Sequence, residues 1–250
     1  MNISGNTILI TGAGTGMGLA AAKAFASLGN RVLMVARNEK RLAEEAAHLP
    51  GALHFACDIA DPAQVERLVQ WAQSNAPELN VLFLNAGVTH TYRLFDGSPA
   101  RDHAKAEMEV NFVSAVDLTH RFVPLLNGRT APAIIVTTSG VVYAPDNTNP
   151  TYSATKAALH SYIQSMRFTL KKNGSPISLF ELVAPLVDSP FSAGVVSDQK
   201  ASPDEVIREM IDGLAEDRMD IRPVTSETLF DAWRRDPEEA QKMVNDATGA

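Results

Sequence analysis

The sequence predicts an α/β fold: one domain over residues 1–250, with a doubly wound, mostly parallel sheet and helices on both faces. Three observations predict it. Short β-branched runs alternate along the chain with longer stretches of helical periodicity. The runs are apolar throughout, as strands buried on both faces of a parallel sheet must be. Finally, 250 residues, 45% hydrophobic and 20% charged, are enough for one large core without staples.

The elements follow in order. Thr7–Thr11 (TILIT) reads as a buried strand and residues 17–28 as a helix. Arg31–Ala36 (RVLMVA) is a second strand, and 39–49 a second helix. Residues 52–57 form a third strand, and Pro62–Asn75 a third helix with Asp61 as its N-cap. Val81–Leu84 is the fourth strand, followed by a long helix within 101–126. Residues 133–138 (AIIVTT) are the fifth strand. Pro150–Lys172 is a helix with Asn149 as N-cap and Gly174 past its end. Residues 177–183 (ISLFELV) are the sixth strand. Strand–helix alternation implies right-handed crossovers. Beyond it, 188–217 reads as a loop and helix over the substrate, with Phe191, Val195 and Val196 in the loop. Residues 218–250 form a C-terminal tail, with a short polar strand at 219–222 and a helix at 226–244.

Composition excludes several functions. One cysteine, Cys57, rules out an internal disulfide framework and a cysteine-based zinc site, and it reads as buried and inert. No histidine pair has ligand spacing, so no metal site is expected. A net charge of −7 argues against nucleic acid or an acidic membrane as partner. With no leader pattern or spanning run, a cytoplasmic protein is expected.

Chemistry concentrates at strand ends. The first strand runs into Thr11-Gly12-Ala13-Gly14-Thr15-Gly16-Met17-Gly18. Gly12, Gly16 and Gly18 fit a tight turn, close approach to a pyrophosphate and helix-on-strand packing, with a helix N-terminus facing the phosphates. The plain alternative is a glycine-rich turn without ligand. After the second strand stands Ala36-Arg37. No carboxylate opposes a 2′-phosphate there, and Arg37 offers it a charge-assisted contact. The alternative leaves Arg37 in solvent and gives a ribose to Glu39. Tyr152 and Lys156 share one helical face, where the cation can lower the phenol's pKa. Ser139 closes the fifth strand, at the carboxyl end where ligands bind. Asn111 is either a satisfied core amide or part of a proton relay. His160 reads as packing, and His90 with Tyr92 as cleft lining or exposed loop.

With these residues the chain resembles the short-chain dehydrogenase/reductase family over residues 6–200, matching at Thr11–Gly18, Asp58, Asn85-Ala86-Gly87, Asn111, Ser139 and Tyr152-Ser153-Ala154-Thr155-Lys156. The 184–188 and 152–162 segments and the tail resemble the subgroup named after the D-alanyl–teichoic acid operon oxidoreductase. The resemblance implies a Rossmann fold and hydride transfer between NADP(H) and a small carbonyl or alcohol substrate. It implies Tyr152 as proton donor or acceptor, Lys156 as its pKa depressor and ribose ligand, Ser139 as holder of the substrate oxygen, and Asn111 as holder of a relay water. Thr15, Gly16, Met17 and Gly18 would meet the phosphates, Arg37 the 2′-phosphate, and Asp58 and Ile59 the adenine. Asn85, Ala86 and Gly87 would line the cleft, and Val187 and Ser189 would hold the nicotinamide carboxamide. Ala184-Pro185 replaces the family's Pro-Gly, and the usual Asp-Gly-Gly ending is missing. A homodimer through the two long helices is implied, with a tetramer as the alternative. The competing readings are a catalytically silent NAD(P)-binding sensor or structural protein, and a sugar-nucleotide epimerase or dehydratase on the extended fold.

Overall fold

The computed structural model describes residues 1–195 and 197–248. Its seven strands are β1 (Thr7–Thr11), β2 (Arg31–Ala36), β3 (Leu53–Ala56), β4 (Val81–Leu84), β5 (Ala133–Ser139), β6 (Ser178–Ala184) and β7 (Asp220–Ile221). They pair in parallel in the order β3-β2-β1-β4-β5-β6-β7. The order reverses between β1 and β4, which opens a crevice above their carboxyl ends.

Period-two alternation sends the strands' side chains into two cores. Ile8 and Ile10 of β1 pack with α1 (Gly16–Ser27), α2 (Glu39–Ala47) and α7 (Pro203–Ala215). Leu9 packs on the other face with α3 (Pro62–Asn75), α5 (Ser114–Leu126) and α6 (Pro150–Lys172). Asp61 caps α3 as expected, accepting from the Ala63 and Gln64 amides at 2.9 and 3.3 Å. A third, small core joins Ala144 to Ala232 and Ala240, from α8 (Ser226–Arg235) and α9 (Pro237–Thr248).

Two local expectations differ from the structure. The helix expected over 226–244 is two helices, α8 and α9. Asp236 breaks it by accepting from the Glu238 and Glu239 amides at 3.0 and 3.3 Å, with Pro237 in the first turn. The helix expected within 101–126 is interrupted: α4 (Ala100–Met108) and α5 are joined by a π turn at Glu109–Val113. Asn149 stands at the N-cap of α6 as expected, though its side-chain oxygen accepts from Thr89 and Thr91 rather than from the first amides of the helix. The polar strand expected at 219–222 is the two-residue edge strand β7. Among the described residues no helix is long and apolar enough to cross a membrane.

Candidate active site

One cleft of about 640 Å³ runs along the carboxyl ends of the strands. Its rear wall is the turn between β1 and α1. Gly16 there has φ +52°, and a Cβ would lie 3.1 Å from Ser189 across the cleft. Gly18 lies behind the lining; its Cβ would sit 2.2 Å from the Gly12 carbonyl oxygen, so only glycine lets α1 seat on the turn. Thr15 stands at the N-cap of α1 without a side-chain cap bond, and its flank Gly14–Met17 lines the cleft. The amides of the first turn therefore keep their capacity for an anion.

The end beside β2 is cationic. Arg37 and Arg41 both line it, with Asn38, Asp58 and Ile59. Arg41 was not singled out in the sequence; it sits on α2, whose start Asn38 fixes by accepting the Arg41 amide at 3.0 Å. Glu39 is off the lining and faces His54 at 3.7 Å. The thiol of Cys57 is pushed up to about 11 by burial, as befits an inert group.

Asn85, Ala86 and Gly87 form the floor. Thr11 fixes this segment: its hydroxyl accepts the Asn85 and Ala86 amides at 3.0 and 3.1 Å. Val187 and Ser189 lie on the facing wall, and the Ser192 hydroxyl holds the Val187 carbonyl at 2.6 Å.

Ser139, Tyr152 and Lys156 meet midway along the cleft. Ser139 lies beside the Tyr152 phenol and favours its ionised form. The Lys156 ammonium donates to the Thr137 carbonyl at 2.8 Å and lies 5.8 Å from the Tyr152 ring centre. Desolvation governs both charges. It pushes the phenol well above its ordinary value, assisted by the Glu107 and Asp146 carboxylates and opposed by Ser139. It pulls Lys156 down to about 8, with Glu181 opposing. The depression of Tyr152 by Lys156 expected from spacing is thus outweighed in the protein alone by the burial of the phenol itself.

Asn111 lies beneath the lining. Its oxygen accepts the Val88 amide at 2.8 Å, and both amide protons are used, on Val88 O at 2.9 Å and Thr155 Oγ1 at 3.0 Å. Only the oxygen keeps capacity for a water. Glu107, one turn earlier, is 0% exposed and accepts the His90 amide at 2.6 Å, with His90 Nδ1 at 3.1 Å. His103, one turn earlier again, stacks on His90 at 4.3 Å. One face of α4 thus clamps the 88–90 segment, two of whose residues line the cleft. Glu107 Oε2 is buried without a partner.

A second carboxylate supports the site from behind. Glu181, 0% exposed in β6, accepts from Thr138 Oγ1 at 2.6 Å and faces His160 Nδ1 at 2.8 Å. The pair raises the pKa of His160, chiefly through that hydrogen bond. His160 is therefore an ion-pair partner as well as a packing residue. The signal was in the sequence: a glutamate inside an apolar strand needs a partner.

The remaining wall comes from the tail. Leu229 of α8 reaches Gly140, where a Cβ would lie 2.8 Å from its Cδ2. Met243, Val244, Ala247 and Thr248 of α9 line the cleft, and Phe191 packs edge-on against Tyr152 with ring centroids 5.5 Å apart. Val195 also lines it, whereas Val196 lies outside the described residues. By contrast α7 packs its buried face into the core against α1. His90 and Tyr92 are off the lining; the Tyr92 hydroxyl donates to Thr151 Oγ1 at 3.1 Å. Among the described residues no cluster of three His, Cys, Asp or Glu is disposed to hold a metal.

The chain is similar to known proteins. The family model for short chain dehydrogenase matches residues 6–200. The oxidoreductase DltE of Bacillus subtilis (strain 168) is 35% identical over 250 residues, covering 98% of each chain. Two solved structures have the same fold at 22% identity: a short chain dehydrogenase from Burkholderia cenocepacia J2315 in complex with NADP, and one from Burkholderia phymatum in complex with NAD. The first has a TM-score of 0.86 and covers 98% of this chain and 99% of its own. The second has a TM-score of 0.84, covering 98% and 97%.

Proposed function

The chain belongs to the short chain dehydrogenase family, and from that premise we propose that it is an NADP(H)-dependent reductase of carbonyl compounds with Tyr152 as proton donor. The observation that carries this reading is one cleft running from two arginines that form no ion pair among the described residues, past a glycine cradle, to Ser139, Tyr152 and Lys156. The cradle that a Cβ would fill fits a pyrophosphate held on the first amides of α1. Arg37 and Arg41 suit a 2′-phosphate by charge and, for arginine, by bidentate geometry. Asp58 and Ile59 border the adenine, and Val187 and Ser189 the carboxamide.

When bound, the cofactor supplies hydride from its nicotinamide. Ser139 holds the carbonyl oxygen next to the Tyr152 phenol. As the carbon gains hydride, the C=O π pair moves onto oxygen, and Tyr152 gives that oxygen its proton. Burial keeps Tyr152 protonated at neutral pH but also makes the phenol a weaker acid, so donation depends on stabilising the phenolate it leaves. The Lys156 ammonium then offsets the negative charge left on Tyr152. Asn111 contributes its oxygen to a water that returns the proton.

The test is the Tyr152→Phe variant, assayed by NADPH consumption with a ketone panel. The expected loss in kcat is roughly a thousandfold, with NADPH affinity kept within about twofold. Wild-type reduction should also fall above pH of about 8, where Lys156 gives up its proton. Undiminished turnover by Tyr152→Phe would contradict the mechanism.

A further inference from the structure

The two ends of the cleft differ in kind. Its cofactor end presents Arg37 and Arg41. Beyond Tyr152 the lining includes Val141, Phe191, Leu229, Met243, Val244 and Ala247, together with the uncharged Thr225, Ser226, Thr228 and Thr248. Two ionisable groups of opposite sign line that stretch among the described residues, and both are engaged. Lys156 donates to Thr137 O at 2.8 Å. Asp146, 5% exposed, accepts from the Thr148 amide and hydroxyl, Asn149 Nδ2 and Thr248 Oγ1. Behind the loop, Lys200 donates to Ser192 O at 2.9 Å. A substrate charge buried here would meet no free counter-charge, and an uncompensated charge in an apolar wall is costly.

The wall is held in register with Tyr152. Asn245 of α9 accepts the Asn147 amide at 2.8 Å and donates to Pro145 O at 3.2 Å. Gln241 donates to the same carbonyl, and Thr248 to Asp146 at 3.2 Å. The 145–149 segment leads directly into α6, which carries Tyr152. Residues 243, 244 and 247 share one face of α9, and methionine adapts to irregular apolar shapes.

We propose, building on the reductase reading above, that α8 and α9 select an uncharged ketone or aldehyde with an extended alkyl or ring body, seated on the Met243–Val244–Ala247 face with its oxygen at Ser139 and Tyr152. Keto acids, phosphorylated carbonyls and other charged substrates are rejected at this wall.

The test compares NADPH-dependent reduction of methyl ketones from 2-butanone to 2-decanone with keto acids of matched length. For the neutral series kcat/KM should rise up to about fourfold per methylene until the wall is covered. Matched keto acids should be at least tenfold poorer. Met243→Lys should reverse that preference by tenfold or more, with NADPH affinity unchanged. Keto acids reduced as well as the neutral series would overturn the proposal and leave the reductase reading standing. A second measurement reads the wall without turnover: binding of 2-decanol to the Tyr152→Phe protein, by saturation-transfer NMR. Saturable binding that Met243→Lys weakens tenfold, when the wild-type protein reduces no ketone, would keep the apolar wall and remove the reductase reading. Absence of both binding and turnover would overturn the wall itself.

Discussion

At the cofactor end of the cleft the backbone shapes the site: a glycine turn, the open N-terminus of α1, and the 85–87 segment held by Thr11. At the opposite end side chains shape it, brought from a pair of helices that begin about 70 residues after Tyr152. The first is a stereochemical requirement, and few sequences satisfy it. The second is a packing arrangement that many apolar sequences would satisfy. The difference teaches that one cleft can be rigidly specified where it meets a constant ligand and loosely specified where it meets a variable one.

The comparison breaks most sharply at Gly18. Gly18→Ala puts a methyl 2.2 Å from the Gly12 carbonyl oxygen, against backbone that cannot swing aside. The expected cost is about 3 kcal/mol of stability, seen as a lowered urea midpoint, with cofactor binding lost. The mirror experiment at the other end is gentler. Asn245→Ala removes the partner of the Asn147 amide and frees one edge of α9. A loss of about 1–2 kcal/mol in docking of that helix is expected. It should appear as a several-fold higher KM for an apolar ketone, with NADPH affinity and the urea midpoint nearly unchanged. Equal damage to cofactor binding from Asn245→Ala would erase the distinction between the two ends.

The same contrast explains what the sequence made legible. The strands from β1 to β6, the glycine turn and the Tyr152–Lys156 spacing are local patterns, each within one element or one turn. The α9 latch is not local, since Asn147 and Asn245 are 98 positions apart. Glu107 carried no pattern of its own; its partner is a loop amide. The π turn at Asn111 has no compositional mark either. Two signals were present and carried more than the periodicity reading took from them. Asp236-Pro237-Glu238-Glu239 is a helix start, with its cap, first-turn proline and acidic first turn. Glu181 in an apolar strand announced a buried partner, which is His160.

The central claim is that the arginine-lined end selects the phosphorylated dinucleotide. Parallel fluorescence titrations of the protein with NADPH and NADH test it most directly, repeated on Arg37→Ala. A preference for NADPH of tenfold or more, equal to about 1.4 kcal/mol, is predicted for the wild-type chain. Arg37→Ala should remove most of it by weakening NADPH alone. Equal affinity for the two, or a preference for NADH, would contradict the assignment.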